Sequence, residues 1–192
     1  TAVDGHKFIE KAIGQGAVAI ILEDTPAELQ KGVTYIQVEN SRRELARIAS
    51  NFYGNPSGKL KVVGVTGTNG KTTSATLLHK TFQALGYTSG LVSTIRYMIG
   101  EDEYPSSHTT PDPKQLHHLF AEMLEHGCEY CFMEVSSHAL VQYRVKGIPF
   151  HMALFTNITH DHLYYHGTFK AYIAAKTLLF DGMEKEAGAM TS

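Results

Sequence analysis

The segment Thr66-Gly67-Thr68-Asn69-Gly70-Lys71-Thr72-Thr73 joins a short apolar run, Val62-Val63-Gly64-Val65, to a stretch whose helical face is Ala75, Leu78, Phe82 and Leu85. A glycine-rich turn between strand and helix is the setting in which backbone N–H groups converge on a phosphate. The helix N-terminus adds partial positive charge there. In such a loop Lys71 reaches the terminal phosphates and Thr72 offers its hydroxyl to Mg²⁺. The general phosphate-loop pattern has a glycine where this sequence has Val65, so the match to it is imperfect.

Two further positions could join that chemistry. Glu134 ends the apolar run Tyr130 to Val135, and in an open α/β sheet the carboxyl ends of the strands are where ligands bind. A carboxylate at that edge, near Thr72, suits a hard cation such as Mg²⁺, with a helix cap or an ion pair as the lesser alternative. Lys176 is preceded by Phe169, Tyr172 and Ile173 and followed by Leu179 and Phe180, which places it in the middle of a helical apolar face. A lysine there is either drawn inward by a partner or snorkels to solvent along its stem. His160, Asp161, His162 and His166 follow the strand-like run Met152 to Thr156. Taken alone they suggest a transition-metal hydrolase or a histidine-rich surface loop.

The elements that must position these residues alternate along the chain. A helix over Phe8 to Ile13 and two β-rich runs, Ala17 to Leu22 and Val33 to Val38, read as a small α/β unit. Ser41 and Glu44 match a capping box opening a helix with Leu45, Ile48, Ala49 and Phe52 on its face. Gly54-Asn55-Pro56-Ser57-Gly58 then breaks the pattern, which places a domain boundary near residue 59, with residues 1–59 before it and 60–192 after it. Beyond it come strands at Val62 to Val65, Ser89 to Ser93, Tyr130 to Val135 and Met152 to Thr156. Between them lie helices from Ala75 to Leu85, on Leu116, Leu119, Phe120, Met123 and Leu124, and from about Thr168 to Phe180; Ser93 to Pro113 reads as a polar stretch. The fold class is α/β: a mostly parallel sheet with flanking helices, preceded by a small α/β domain.

Composition narrows the function. Lys and Arg total 17 against 19 Asp and Glu, a net charge of -2 with no basic patch, which argues against nucleic-acid binding. Every apolar run is shorter than the ~18 to 20 residues of a bilayer span, and no leader opens the sequence, so a cytoplasmic location is expected. The first residue is Thr1 and Gly188-Ala189-Met190-Thr191-Ser192 starts an element without finishing it, so the chain reads as an excerpt. Cys128 and Cys131 are spaced as C-x-x-C, but they lie at a strand rather than a helix start and have no second pair. They read as small buried residues.

The loop spelling T-G-T-N-G-K-T-T resembles that of the Mur ligases and of the related folylpolyglutamate synthases. His108-Thr109-Thr110-Pro111-Asp112, Met133-Glu134-Val135-Ser136-Ser137-His138-Ala139-Leu140 and Phe155-Thr156-Asn157-Ile158-Thr159-His160-Asp161-His162-Leu163 extend the resemblance. Tyr165-His166-Gly167-Thr168, Ala174-Ala175-Lys176 and the opening Val3-Asp4-Gly5-His6 carry it over nearly the whole chain and favour the Mur branch. The resemblance implies an ATP- and Mg²⁺-dependent ligase of peptidoglycan synthesis. It would join the D-Glu carboxylate of UDP-N-acetylmuramoyl-L-alanyl-D-glutamate to meso-diaminopimelate or L-lysine through an acyl phosphate.

It further implies ATP at Gly67, Thr68, Asn69, Gly70, Lys71, Thr72 and Thr73. A first Mg²⁺ would lie near Thr72 and Glu134, and a second would be held by His162 and a carbamylated Lys176. The muramoyl substrate would meet Thr109, Thr110, Ser136, Gln142 and Arg144, whose fork suits a carboxylate. His108, where Asn or Ser is commoner, and Tyr164, where Asp is common, depart from the family pattern. The rivals are a folylpolyglutamate-type ligase and a nucleotide-binding module without catalysis.

Overall fold

A computed structural model describes residues 4–159, 163–181, 183 and 187–191. The chain divides into two compact units, residues 1–44 and 45–192. In the first, a 3-10 turn, Gly5–Phe8, leads into α1 (Ile9–Gly14), and β1 (Ala19–Leu22) pairs in parallel with β2 (Thr34–Gln37). Helix α2 (Ser41–Phe52) begins in this unit and continues into the second. Its cap differs from the capping box expected of Ser41 and Glu44. The Asn40 Oδ1 accepts from the Arg43 N–H at 2.9 Å, while the Ser41 N–H and hydroxyl both donate to Glu23 Oε1 at 2.8 Å. The cap sits one residue earlier because a carboxylate, the stronger acceptor, has engaged Ser41. In the part of α2 belonging to the second unit, Ala46 and Ala49 are buried while Leu45, Ile48 and Phe52 are exposed. The 3.6-residue period thus located a helix but misjudged which of its sides is covered.

The second unit is built on β3 (Lys61–Thr66). It lies mid-sheet with the strand order β6 (Asp102–Pro105), β5 (Arg96–Ile99), β4 (Ser89–Val92), β7 (Tyr130–Glu134), β3, β8 (Phe150–Phe155), β9 (Gly188–Thr191). From β4 to β9 all pairings are parallel, in keeping with the expected fold class. Side chains alternate between the two faces, as a pleat requires. Val62, Cys131 and Met133 enter a core with Phe120, Met123 and Leu179, whereas Val63, Val65 and Phe132 enter another with Ala75, Leu78 and Phe82. Near-continuous burial of β3 follows from helices on both faces.

Those helices are α3 (Lys71–Ala84), α4 (Pro113–Glu125), α5 (Ser137–Val141), the single turn α6 (Leu163–His166) and α7 (Phe169–Asp181). Helix α3 stops where Gly86 adopts φ 89° and Tyr87 N–H returns to Phe82 O at 3.0 Å, a left-handed exit that favours glycine. Asp112 caps α4, its Oδ1 accepting from the Lys114 and Gln115 N–H groups at 2.9 and 3.1 Å, with Pro113 in the first turn. Cys128 and Cys131 are free, buried thiols, both pushed up by burial, as expected of packing residues. Among the described residues no helix is long and apolar enough to cross a membrane.

The stretch read as polar up to Pro113 instead contains β5 and β6, an antiparallel hairpin extending the sheet beyond β4. Tyr97 and Ile99 alternate into the core at 1% exposure each, but a four-residue strand beside the acidic Asp102 and Glu103 leaves a weak periodic signal. The five-residue α5 was likewise too short to register.

His117 of α4 is fully buried, and neither ring nitrogen has a hydrogen-bond partner; burial pushes its pKa down from 6.5 to about 4. Burial lowers His79 in the same direction. A folded-state pKa below the unfolded one means that the unfolded chain binds the extra proton. This contribution to stability is therefore present above pH 6.5 and is lost as the pH falls toward 4. We expect His117→Leu to lose about 2 kcal/mol less stability than the native chain between pH 7 and pH 5 by urea denaturation. Equal losses would show that His117 is not buried as the neutral imidazole.

Candidate functional site

At the carboxyl edge of the sheet, β3 runs into the turn Gly67 to Gly70 and then α3. Gly70 precedes the helix at φ 83° and, being glycine, supplies no side-chain cap. The turn is laid onto the segment after β8. Thr68 N–H donates to Asn157 O at 2.8 Å, Asn69 N–H to Asn157 Oδ1 at 3.0 Å, and Asn157 Nδ2 donates back to Asn69 O at 3.2 Å. Thr156 Oγ1 donates to Asn69 O at 2.6 Å. Asn157, which sequence reasoning singled out only as part of a motif, pairs with both polar groups of the Asn69 backbone. Gly67 has φ 146°, and a Cβ there would run into Thr156 Oγ1. Both the backbone and the space require glycine.

Lys71 Nζ donates to Gly67 O at 3.0 Å and Thr68 O at 2.8 Å, which folds its ammonium over the turn. Lys176, on α7, is 2% exposed. Its Nζ donates to Gly67 O at 2.7 Å and lies 4.7 Å from the Tyr172 ring centroid. The apolar spacing around Lys176 thus corresponds to an inward side chain, and snorkelling is not what it does. Tyr172 OH meets Thr68 Oγ1 at 3.1 Å, so α7 is tied to the turn twice.

Glu134, at 1% exposure, ends β7 beside the turn. Its Oε1 accepts from the Thr94 N–H at 2.8 Å and its Oε2 from the Thr94 hydroxyl at 3.2 Å. Thr94 was not anticipated. The parallel register of β4 and β7, with Val92 opposite Met133, brings it alongside Glu134, and only the pairing reveals that. Thr110 Oγ1 donates to the Glu134 carbonyl at 2.9 Å and accepts from Ser136 N–H at 3.1 Å. Ser136 caps α5 by accepting from Ala139 N–H at 3.1 Å. Arg144 donates from Nη1 to Thr110 O at 2.8 Å, and from Nε and Nη2 to Gln142 Oε1 at 3.0 and 2.7 Å. One edge of the fork is thus filled by Gln142, and the outer N–H groups remain for a ligand. With the Thr94 proton on Glu134, Thr94 Oγ1 accepts from the Thr109 hydroxyl at 3.0 Å.

These residues surround one cavity of about 490 Å³. Its wall includes Asn69 to Thr72 from the turn, Thr94, Thr109, Thr110, Glu134, Ser136, Arg144 and Lys176. Gln142 stands behind Arg144 rather than in the wall, and Thr73 points away on the exposed side of α3. His162, with His160 and Asp161, lies outside the described residues. His108 lies at the cavity wall and Tyr164 is 84% exposed.

Among the described residues no group of three or more His, Cys, Asp or Glu is placed to hold a metal. The buried carboxylate of Glu134 beside the Thr72 hydroxyl suits Mg²⁺, which commonly takes one or two carboxylates and completes its shell with phosphate oxygens and water. Glu134 and Thr72 are the donors on hand. Lys176 as an ammonium is not a ligand, and becomes one only as a carbamate.

A mostly parallel sheet whose central strand feeds a glycine-rich turn and helix, with a carboxylate on the neighbouring strand end, defines a phosphate-binding α/β domain. Residues 65–191 match the Mur ligase middle domain. The chain belongs to the Mur ligase family. It is 51% identical, over all 192 residues, to the UDP-N-acetylmuramoyl-L-alanyl-D-glutamate–2,6-diaminopimelate ligase of Bacteroides fragilis, and spans 40% of that relative's length. A solved ligase of the same name superposes with a TM-score of 0.81 at 25% identity, over 96% of this chain and 42% of the other. MurF from Thermotoga maritima in complex with ADP shares the fold at TM-score 0.60 and 24% identity, over 98% of this chain and 40% of that one.

We expect Gly67→Ala to destabilise the second unit by more than about 1 kcal/mol in urea denaturation. Adding Thr156→Ala should recover only part of this, since it makes room for the methyl group without changing the φ. Full recovery would mean that the turn is not held in its glycine-only conformation.

Proposed function

We propose that the full protein is an ATP-dependent ligase that joins the D-Glu carboxylate of UDP-N-acetylmuramoyl-L-alanyl-D-glutamate to an amino acid, with meso-diaminopimelate favoured over L-lysine. The observation that carries this reading is the single cavity where the glycine-rich turn, Lys71, Glu134 and Lys176 face the hydroxyls and guanidinium of Thr109, Thr110, Ser136 and Arg144. Phosphate-binding groups and carboxylate-orienting groups lining one space, with Thr110 bonded to the Glu134 carbonyl at 2.9 Å, are what phosphoryl transfer to a carboxylate needs. The name of the Bacteroides fragilis relative supports diaminopimelate as the amine. Residues 1–59 would then belong to the domain that holds the UDP end, and 60–192 to the ATP-binding domain. A reaction fed by ATP and a UDP-linked precursor places the work in the cytoplasm.

In this reading the turn amides and Lys71 hold the β- and γ-phosphates, Lys71 exchanging its carbonyl contacts for phosphate oxygens. The substrate carboxylate oxygen forms a bond to the γ-phosphorus as the bond to the β-phosphate oxygen breaks, giving ADP and an acyl phosphate. The amine nitrogen then attacks the acyl carbon, phosphate leaves, and the nitrogen loses a proton. Arg144, held by Gln142 and Thr110, orients the carboxylate. Mg²⁺, when bound, offsets phosphate charge; Thr72 and Glu134 would hold one ion, and His162 with a carbamylated Lys176 a second. No side-chain nucleophile takes part, so the contribution of these residues is positioning and electrostatics.

In the full-length protein, Lys71→Ala should abolish ATP-dependent ligation, a loss of at least about a hundredfold, while the thermal unfolding curve stays in place. Near-native turnover would remove the phosphate-loop assignment. Lys176→Ala should be comparably impaired and partly restored by added short-chain carboxylates, which can occupy the place of a carbamate, but not by amines. Full activity of Lys176→Ala, or rescue by an amine, would rule out the carbamate.

A further inference from the structure

The loop that delivers Thr109 and Thr110 to the cavity connects β6 to α4, and nothing in its own sequence, Ser106-Ser107-His108-Thr109-Thr110, fixes a conformation. Ser106 Oγ ties its start to Ser93 O at 2.8 Å and also lies 3.2 Å from His108 O, and one buried atom gathers its middle. Tyr97, on β5, is 1% exposed, and its hydroxyl donates to His108 O at 2.9 Å while accepting from the His108 N–H at 3.2 Å and the Ser107 N–H at 3.3 Å. One proton and two lone pairs are the full capacity of a phenol hydroxyl, and all three are used on the backbone of this loop. Ser107 Oγ lies 3.2 Å from the same hydroxyl and donates its own proton to Gln115 Oε1 at 2.9 Å. The far end of the loop is fixed by Thr110 on the Glu134 carbonyl and by Arg144 on Thr110 O. Thr109 is the residue suspended between these two attachments.

We propose that Tyr97 is a positioning residue for the muramoyl substrate: its hydroxyl sets the loop that presents Thr109 and Thr110 to the cavity. Tyr97 does not itself line that cavity, and it acts only through the backbone of Ser107 and His108. This inference rests on the reading of Thr109 and Thr110 as substrate contacts. Removing the hydroxyl strands the Ser107 and His108 N–H groups in a partly buried place and leaves His108 O only the Ser106 hydroxyl at 3.2 Å, so the loop must either pay that desolvation or rearrange toward water.

The test uses the full-length protein with Tyr97→Phe, which keeps the ring in the core. Backbone amide exchange of Ser107 and His108 should rise at least tenfold, with no comparable change in β3 or β7. The KM for UDP-N-acetylmuramoyl-L-alanyl-D-glutamate should rise about tenfold, while the KM for ATP and the kcat stay within about twofold. A merely structural role would lower the unfolding temperature and disturb both substrates together, and that result would overturn the proposal. Unchanged amide exchange would overturn it as well. Thr110→Val separates the inference from the reading beneath it. If Thr110→Val raises the muramoyl KM and Tyr97→Phe does not, the role of Tyr97 falls. If neither raises it, the assignment of this loop to the substrate falls.

Discussion

The parallel pairing of β3 with β7 on one side and β8 on the other is the constraint from which the site follows. The register sets Val65 opposite Glu134 and Thr66 opposite Phe155, so all three strands leave the sheet at the same edge. Thr66 is the junction: its hydroxyl donates to Val135 O at 2.8 Å, and its carbonyl accepts from the Thr156 N–H at 2.9 Å. Were β7 antiparallel, the carboxylate of Glu134 would sit at the opposite end of a five-residue strand, roughly 15 Å from the glycine-rich turn. Parallel strands require crossovers, and the crossovers are the helices that bury both faces. The same rule that makes the sheet dry therefore brings the phosphate turn, the carboxylate and Asn157 together.

Within that edge the chain uses neutral hydroxyls and amides to hold a small number of charges. Thr94 gives Glu134 a backbone N–H and a hydroxyl, Asn157 pairs with the Asn69 backbone, and Thr110 ties the Glu134 carbonyl to Ser136. Hydrogen bonds of this kind to a carboxylate are stronger than neutral ones and hold the group without neutralising it. A salt bridge would have fixed Glu134 as well, but would have offset the negative charge that these hydrogen bonds leave in place. The positive charges are likewise placed on backbone carbonyls, with Lys71 and Lys176 both donating to Gly67 O.

Legibility in the sequence followed the range of the interaction. The glycine-rich turn, the strand ending at Glu134 and the inward face of Lys176 are properties of single elements, and periodicity or local spacing marked each. Thr94, Tyr97 and Asn157 acquire their parts only when strands distant in the chain are paired, and no local pattern names the groups they hold. The β5 and β6 hairpin was missed for a related reason: its strands are four residues each, and the apolar pair Tyr97 and Ile99 is all the alternation that the core imposes on them. Helix α2 failed in the other direction. Its apolar stripe is plain in the sequence, yet which side is covered depends on partners that the stripe does not name.

In the proposed mechanism Lys176 is a buried cation that changes sign on carbamylation. As an ammonium it is held by partners that include the Gly67 carbonyl and the Tyr172 ring, both of which favour positive charge. An ammonium has three N–H donors, and Gly67 O needs only one. A carbamate nitrogen retains one N–H, which would allow the contact to Gly67 O to be kept on conversion, with the new carboxylate oxygens directed elsewhere. The cavity wall, to which Lys176 contributes, is the open direction. A single retained hydrogen bond would thus keep the stem in register with the phosphate turn in either state. The charge beside Glu134 and Thr72 would then be set by whether carbon dioxide has added to Nζ, not by a movement of α7.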